Sequence, residues 1–376
     1  MKALVTGGAG LIGSHVVDLL LQKGYEVRVL DNLEKPNHLN GKPDWLGSEV
    51  DFIEGDMRSE QDLVKALDGV DYVSHQAAFG GFVPGISKYI HVNALGTAML
   101  LELIVQHNLP IRKVVMASSQ AIYGEGKYEC EQHGVQYPSI RSIEQMNRGQ
   151  WEHACPHCDR PLTPLPADEE TTIDSTTPYA ISKYSQERLL LSWGATHGIP
   201  ATALRYSVTF GPRQSIFNPY TGVVAIFSTR ILNDLPPVVY EDGQQKRDFI
   251  YVGDVAQANL HCLESPATDG QAYNVGTGRP TRVADLVQTL ADCYGRDVQP
   301  LLRGEFRPGE VRHLFSDSSR LRATGWTPTT TVAQGVRAYV DWISTQGDIK
   351  EYFSEAERLM KEMQAVRQTH AQPAHA

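Results

Sequence analysis

The chain has 376 residues, 41% apolar and 21% charged, and its 34 Lys and Arg against 44 Asp and Glu leave a formal charge of −10. That length fits two domains, or one large α/β unit with a second lobe, and the acidic balance argues against general nucleic-acid binding while leaving room for a local basic pocket. No apolar run approaches the roughly 18–20 residues of a membrane span, residues 1–5 carry no signal-peptide cleavage pattern, and five Cys make no disulfide scaffold, so a reducing cytoplasm is the expected compartment.

Residues 2–6 read as a short apolar strand ending in glycines, and Leu11, Ile12, Val16, Leu19 and Leu20 follow at helical spacing. A second strand is expected at 26–31, and others at 50–53, 72–75, 113–117 and 202–206. Helical stretches lie between them, notably 60–68, 91–107 and 179–197. Strand alternating with helix predicts a doubly wound parallel sheet of Rossmann type. Residues 125–170 break this rhythm, and a stretch that long is not expected to be a plain loop. Residues 346–376 form a tail: an amphipathic helix around Tyr352, Phe353, Leu359, Met360 and Met363, then a flexible end. There are no internal repeats.

Gly8, Gly10 and Gly13 match G-x-G-x-x-G, and Gly7, Gly10 and Gly13 the related G-x-x-G-x-x-G, between strand and helix as a dinucleotide site requires. Glycines let the backbone approach a pyrophosphate, and the helix N-terminus supplies donors and a positive dipole. Asp31 closes the second strand, 18 residues after Gly13. A carboxylate there accepts from both ribose hydroxyls and repels a 2′-phosphate, which favours NAD over NADP.

Tyr179 and Lys183 lie four apart and share a helix face. A lysine cation near the phenol is expected to lower its pKa from about 10 toward neutrality and to make it a general base. Ser118 and Ser119 end the strand at 113–117, at the edge where parallel sheets bind ligands. Cys130, His133, Cys155 and Cys158 form C-x₂-H and C-x₂-C pairs separated by 21 residues, the ligand set of a tetrahedral structural Zn²⁺, with His153 and His157 as spare candidates. Metal would order a segment poor in apolar residues. A redox pair or reduced thiols without a role are the alternatives. Cys262 and Cys293 lie in apolar helical stretches and read as core residues.

Together the glycine start, Gly55-Asp56-Met57-Arg58, His75-Gln76-Ala77-Ala78, Asn93-Ala94-Leu95-Gly96-Thr97, the Ser-Ser-x-x-x-Tyr-Gly stretch and Tyr179-x-x-x-Lys183 resemble the extended short-chain dehydrogenase/reductase family, in its nucleotide-sugar epimerase and dehydratase branch. Later matches are Leu204-Arg205-Tyr206, Phe210-Gly211-Pro212-Arg213-Gln214, Arg247-Asp248-Phe249-Ile250-Tyr251-Val252, Asn274-Val275-Gly276-Thr277-Gly278 and Arg307-Pro308-Gly309-Glu310. The resemblance covers about residues 1–125 and 171–345. It implies an NAD-binding unit over 1–206, interrupted by the 125–170 insertion, and a smaller α/β C-terminal lobe, mainly 207–345, for substrate. It implies Tyr179 as base, Lys183 tuning it, and Ser119 rather than Ser118 on the reacting oxygen. It further implies Gly7, Gly10, Leu11, Ile12, Gly13, Asp31, Asn32, Asp56, Met57, Ala77, Ala78, Asn93, Tyr179, Lys183 and Tyr206 around NAD. Ser119, Gln120, Arg213, Arg247 and Arg307 would meet a nucleotide-diphosphate sugar, and a homodimer through the helices at 91–107 and 179–197 is expected.

The dehydratases of this branch place Asp-Glu after the catalytic Ser/Thr, and the decarboxylases usually carry a Glu nearby. Gln120 and Ala121 stand there instead, which leaves C4 epimerisation with NAD regenerated. One departure is Arg205-Tyr206-Ser207-Val208, where Val208 replaces an Asn that commonly contacts substrate. Residues 214–227 and the Cys-bearing insertion resemble the dTDP-L-rhamnose 4-epimerase subgroup. The alternatives are a UDP-hexose or UDP-uronate 4-epimerase, a decarboxylase or dehydrogenase, and a catalytically silent NAD-sensing scaffold.

Overall fold

The computed structural model describes residues 1–81, 85–220 and 222–370. Seven short strands form one parallel sheet: β1 (Lys2–Thr6), β2 (Glu26–Asp31), β3 (Asp51–Glu54), β4 (Tyr72–His75), β5 (Lys113–Ser119), β6 (Ala201–Tyr206) and β7 (Gln271–Val275), in the order β7-β6-β5-β4-β1-β2-β3. The order reverses between β1 and β4, and a ligand crevice opens at the carboxyl ends of the strands at such a switch point. β5 is buried along its whole length, as its apolar Val114-Val115-Met116-Ala117 run requires of a central parallel strand. Its register sets Ser119 opposite Tyr206.

Helices α1 (Leu11–Gln22), α2 (Glu60–Leu67), α3 (Ile86–Gln106), α4 (Pro178–His197) and α5 (Val252–Glu264) cover the sheet. α3 is long and apolar enough, by length and composition, to cross a membrane, which the sequence reading did not anticipate. Leu100, Leu101, Leu103 and Ile104 nevertheless bury in the core beneath the sheet, so this is a core helix of the fold. A π-helical stretch, Ile90–Leu95, lies within it and carries Asn93.

β7 was not read from the sequence, α5 was read only as an apolar helical stretch around Cys262, and both fall within residues 207–345. Part of that span therefore belongs to the main sheet. The rest forms a second unit with strands Val208–Phe210, Lys246–Tyr251, Pro280–Arg282 and His313–Leu314, packed with helices Val223–Leu232, Val283–Tyr294 and Val332–Ile343 around Phe210, Phe227, Leu286, Leu290, Val336 and Tyr339.

The insertion is ordered around a three-stranded antiparallel sheet, Gly134–Gln136, Lys127–Cys130 and Thr163–Leu165. Its own core is small: Tyr128, Cys130, Cys155 and Leu162. The expected tail helix is Phe353–Glu362. Phe353, Met360 and Val366 pack with Val238 and Tyr240, and Arg367–Gln368 pair with Glu305–Phe306, so residues up to 370 are anchored. Residues 371–376 of the expected flexible end, and Thr221, lie outside the described residues.

Candidate active site

A cleft of about 1710 Å³ opens at the carboxyl edge of the sheet. Pockets for one small molecule run to about 300–1,000 Å³, so this space accommodates two ligands side by side. Its cofactor end is built by the glycine turn. Gly7 has φ +67°, and a Cβ there would lie 2.7 Å from the Ala77 backbone. A Cβ on Gly13 would meet the Gly7 carbonyl oxygen at 2.1 Å. Only glycine permits both, and the closeness brings the α1 N-terminus against the turn. Gly10 caps α1 without a side-chain acceptor. Asp31 accepts from the Ala9 amide (3.0 Å) and the Leu33 amide (2.9 Å), which fixes its carboxylate at the cleft edge. Leu11, Ile12, Asn32, Asp56, Met57, Ala77 and Ala78 line the same end. Hydrogen bonds from the Arg58 side chain hold the Asp56 carboxyl well below the usual carboxylate range.

Of the expected cofactor residues, Asn93 and Lys183 are buried outside the cleft lining, whereas Tyr206 lines it. Asn93 is fully buried, accepts from the Phe79 amide (2.7 Å), and donates to the Phe79 carbonyl (3.0 Å) and the Ser182 hydroxyl (2.8 Å). It shapes the wall from behind. Tyr206 reaches the cleft, but its hydroxyl is tied to Gln76 and Asn259, each at 3.0 Å. His75 sits between the Thr6 and Thr97 hydroxyls (2.6 and 2.8 Å), and burial pulls its imidazole down to about 3, so it is a neutral packing group.

The reacting end is set by two element boundaries. β5 delivers Ser119, whose hydroxyl accepts from the Ala121 amide (3.1 Å) as it caps the turn Gln120–Tyr123. Thr177 caps α4 by accepting from the Ala180 amide (3.1 Å), and Pro178 opens the first turn. Tyr179 therefore points from the first turn of α4 into the cleft that Ser119 also lines, with its ring edge-on to Tyr89 at 6.2 Å. Ser118 turns to Glu187 instead (2.7 Å), and Glu187 also receives a two-point contact from Arg205 (2.6 and 3.0 Å). Gln120 and Ala121 line the cleft beside Ser119.

The expected depression of the Tyr179 pKa does not arise within the chain itself. Burial pushes the phenol above its ordinary value, and the neighbouring Ser119 side chain offsets this in part. Lys183 is buried one helical turn further on, and burial pulls its ammonium down to about 7 against the raising influence of Glu187.

The three arginines separate. Arg213 is held by Asp18 of α1 (2.8 Å) and stands over the Trp45 ring at 5.8 Å, with partners on the cofactor side. Arg247 donates to the carbonyls of Val311 (2.6 Å) and Arg312 (2.9 Å), and Arg307 lies over the Tyr240 ring at 4.6 Å. All three line the cleft.

Cys130, His133, Cys155 and Cys158 converge within the insertion, their ligand atoms all within 4.8 Å of one another. Cys130 Sγ lies 3.7 Å from Cys158 Sγ and 3.5 Å from His133 Nδ1, and Cys155 Sγ lies 3.4 Å from that nitrogen. Nothing in the sequence signalled Arg141, Glu241 and Arg312, which form a buried charged cluster behind the cleft, because their contacts join segments far apart in the chain.

A glycine cradle at the switch point, with serine, tyrosine and lysine at the neighbouring strand and helix, defines a Rossmann enzyme of the short-chain dehydrogenase/reductase kind. The chain belongs to the NAD dependent epimerase/dehydratase family, whose model matches residues 3–142 and 156–276. The unmatched interval falls inside the insertion. The dTDP-L-rhamnose 4-epimerase of Burkholderia thailandensis is 31% identical over 357 residues, covering 93% of this chain and 96% of that relative. The UDP-glucose 4-epimerase of Thermotoga maritima with UDP-glucose superposes with a TM-score of 0.76 at 31% identity, covering 93% of this chain and 100% of that one. The UDP-glucose 4-epimerase of Thermus thermophilus in complex with NAD gives 0.73 at 32% identity, covering 92% and 99%.

Proposed function

We propose that the chain is an NAD-dependent nucleotide-sugar 4-epimerase. The observation that carries this reading is that Ser119 and Tyr179 line one cleft sized for two ligands, flanked by Gln120 and Ala121 where an acid would be needed to eliminate water. The cradle that a Cβ on Gly13 would fill, with the Asp31 carboxylate beside it, fits NAD. Bound NAD supplies the acceptor and donor of hydride. Ser119 orients the sugar O4, and Tyr179 removes its proton and later returns it. Lys183 supplies positive charge that favours the phenolate. The 4-keto sugar turns within the cleft so that its other face would receive the hydride held by bound NAD, and C4 would be inverted without net oxidation. The second unit, mainly within 207–345, contributes Arg247 and Arg307 toward the diphosphate.

The sugar we put first is the dTDP-L-rhamnose and dTDP-6-deoxy-L-talose pair. Identity does not separate it from UDP-hexoses. The apolar Val208 in the cleft wall and the Cys-bearing insertion favour it. Incubation with dTDP-L-rhamnose, UDP-glucose and UDP-glucuronate, followed by NMR, should show one C4 pair equilibrating without net NADH. Failure with all three, or NADH accumulating in proportion to substrate, would refute the epimerase reading.

Two further parts of the reading concern the whole protein. Cys130, His133, Cys155 and Cys158 bind a structural Zn²⁺. Tetrahedral Zn–S bonds of about 2.3 Å place two sulfurs about 3.8 Å apart, close to the 3.7 Å between Cys130 and Cys158. One zinc per chain by elemental analysis, with a tetrahedral Co²⁺ spectrum on exchange, tests it. The chain is also read as a homodimer: α3 and α4 present Ile86, Leu95, Ile181 and Leu189 to solvent, a pattern that association would cover. The low cysteine content supports a reducing cytoplasm as the compartment.

A further inference from the structure

Behind the cleft lies a charged cluster that the proton chemistry of Ser119, Tyr179 and Lys183 does not use. Arg312 is fully buried and donates to Glu152 (2.9 Å), Glu241 (2.8 Å) and Asp242 (2.7 Å). Arg141 holds both oxygens of Glu241 (2.8 and 3.0 Å) and the carbonyl of Glu310 (2.9 Å). Burying such ions is costly unless every contact is made, so the arrangement is intolerant of displacement. Arg141, Glu152 and His153 come from the insertion, while Arg312 belongs to the segment that forms the cleft wall.

That segment is held on both faces. The Arg312 amide donates to Glu125 (2.8 Å), which faces His153 at 3.1 Å. On the other face, the Val311 and Arg312 carbonyls receive Arg247. The Glu310 amide donates to the Arg307 carbonyl (3.2 Å), closing the turn that carries Arg307. The cluster is tied equally closely to the Cys/His knot. His153 lies two residues before Cys155, its carbonyl accepts from the Leu162 amide (2.9 Å), and its ring packs edge-on against Tyr128 at 5.2 Å. Tyr128 in turn lies two residues before Cys130.

We propose that the insertion is a positioning element of the substrate site: its metal-closed knot fixes Arg141, Glu152 and His153, which hold the 307–313 segment so that Arg247 and Arg307 face the diphosphate of the nucleotide sugar. This rests on the nucleotide-sugar and zinc readings above. The test measures UDP and dTDP affinity, KM, kcat and NAD content on the full-length protein. The samples are as purified, stripped of metal, reloaded with Zn²⁺, and carrying Arg141→Met or Glu152→Gln. Glu152 is half exposed, so its variant serves where Arg141→Met fails to fold.

Metal loss and either variant should weaken diphosphate binding and raise KM about tenfold or more. NAD content should be unchanged and kcat within about threefold, and Zn²⁺ should restore the stripped protein. A folded, NAD-loaded protein whose diphosphate affinity survives both metal removal and Glu152→Gln overturns the proposal. Protein that carries no metal as purified refutes the zinc reading, and the Arg141 and Glu152 variants then decide the positioning role alone. Wild-type protein that binds neither UDP nor dTDP overturns the substrate reading and this proposal together.

Discussion

At Lys183 the charge proposed for catalysis carries a folding cost. Its ammonium is pulled down to about 7 by burial, against about 10.4 in an unfolded chain. Between those values the unfolded state binds more protons, so this group makes stability rise with pH from about 7 to 10, with the full cost present below 7. Lys183→Met should therefore raise the thermal midpoint at pH 7, by the equivalent of about 1–3 kcal/mol, and flatten its rise between pH 7 and 9. Turnover should fall by about 10²-fold or more in the same protein. Tyr179→Phe removes only the phenol hydroxyl. Its kcat should drop about 10²–10⁴-fold with NAD content unchanged, and unchanged turnover would disprove its assignment as the base.

At the scale of elements, short caps and small clusters decide where these residues stand. Thr177→Ala removes the cap of α4 and should cost about 1 kcal/mol in urea unfolding. It frays the turn that presents Tyr179, so kcat should fall more than KM rises. The tail helix Phe353–Glu362 is more than an appendage: Met360 packs with Val238 and Tyr240, and Tyr240 carries Arg307 on its ring. Met360→Ala should destabilise the second unit by about 2–5 kcal/mol and weaken nucleotide binding, read by urea titration and calorimetry. The amphipathic pattern around Phe353 and Met360 was legible in the sequence, because the period of a helix is local. Its docking against Tyr240 was not, since more than a hundred residues separate the two surfaces.

The whole molecule is one wide cleft between a parallel sheet and a second unit, with an insertion fastened to its back wall. Ile181→Asp, at an exposed apolar position of α4, should shift the protein toward monomer in sedimentation while leaving the Ser119–Tyr179 geometry in place. What the sequence by itself determined was everything written in short spacings: the glycine turn, the carboxylate ending β2, Tyr179 and Lys183 one helical turn apart, Ser119 at the end of β5, and the paired knuckles of the insertion. Each depends on backbone geometry that a few consecutive residues fix. Tertiary structure alone decided that Gln271–Val275 completes the main sheet and that Asn93 clamps Phe79 behind the cleft. It alone set the titration of Tyr179 and Lys183 and closed Arg141 and Arg312 on a carboxylate 100 and 71 residues away. Those outcomes depend on burial and on charges brought together by the path of the chain, and no local pattern of residue types encodes either.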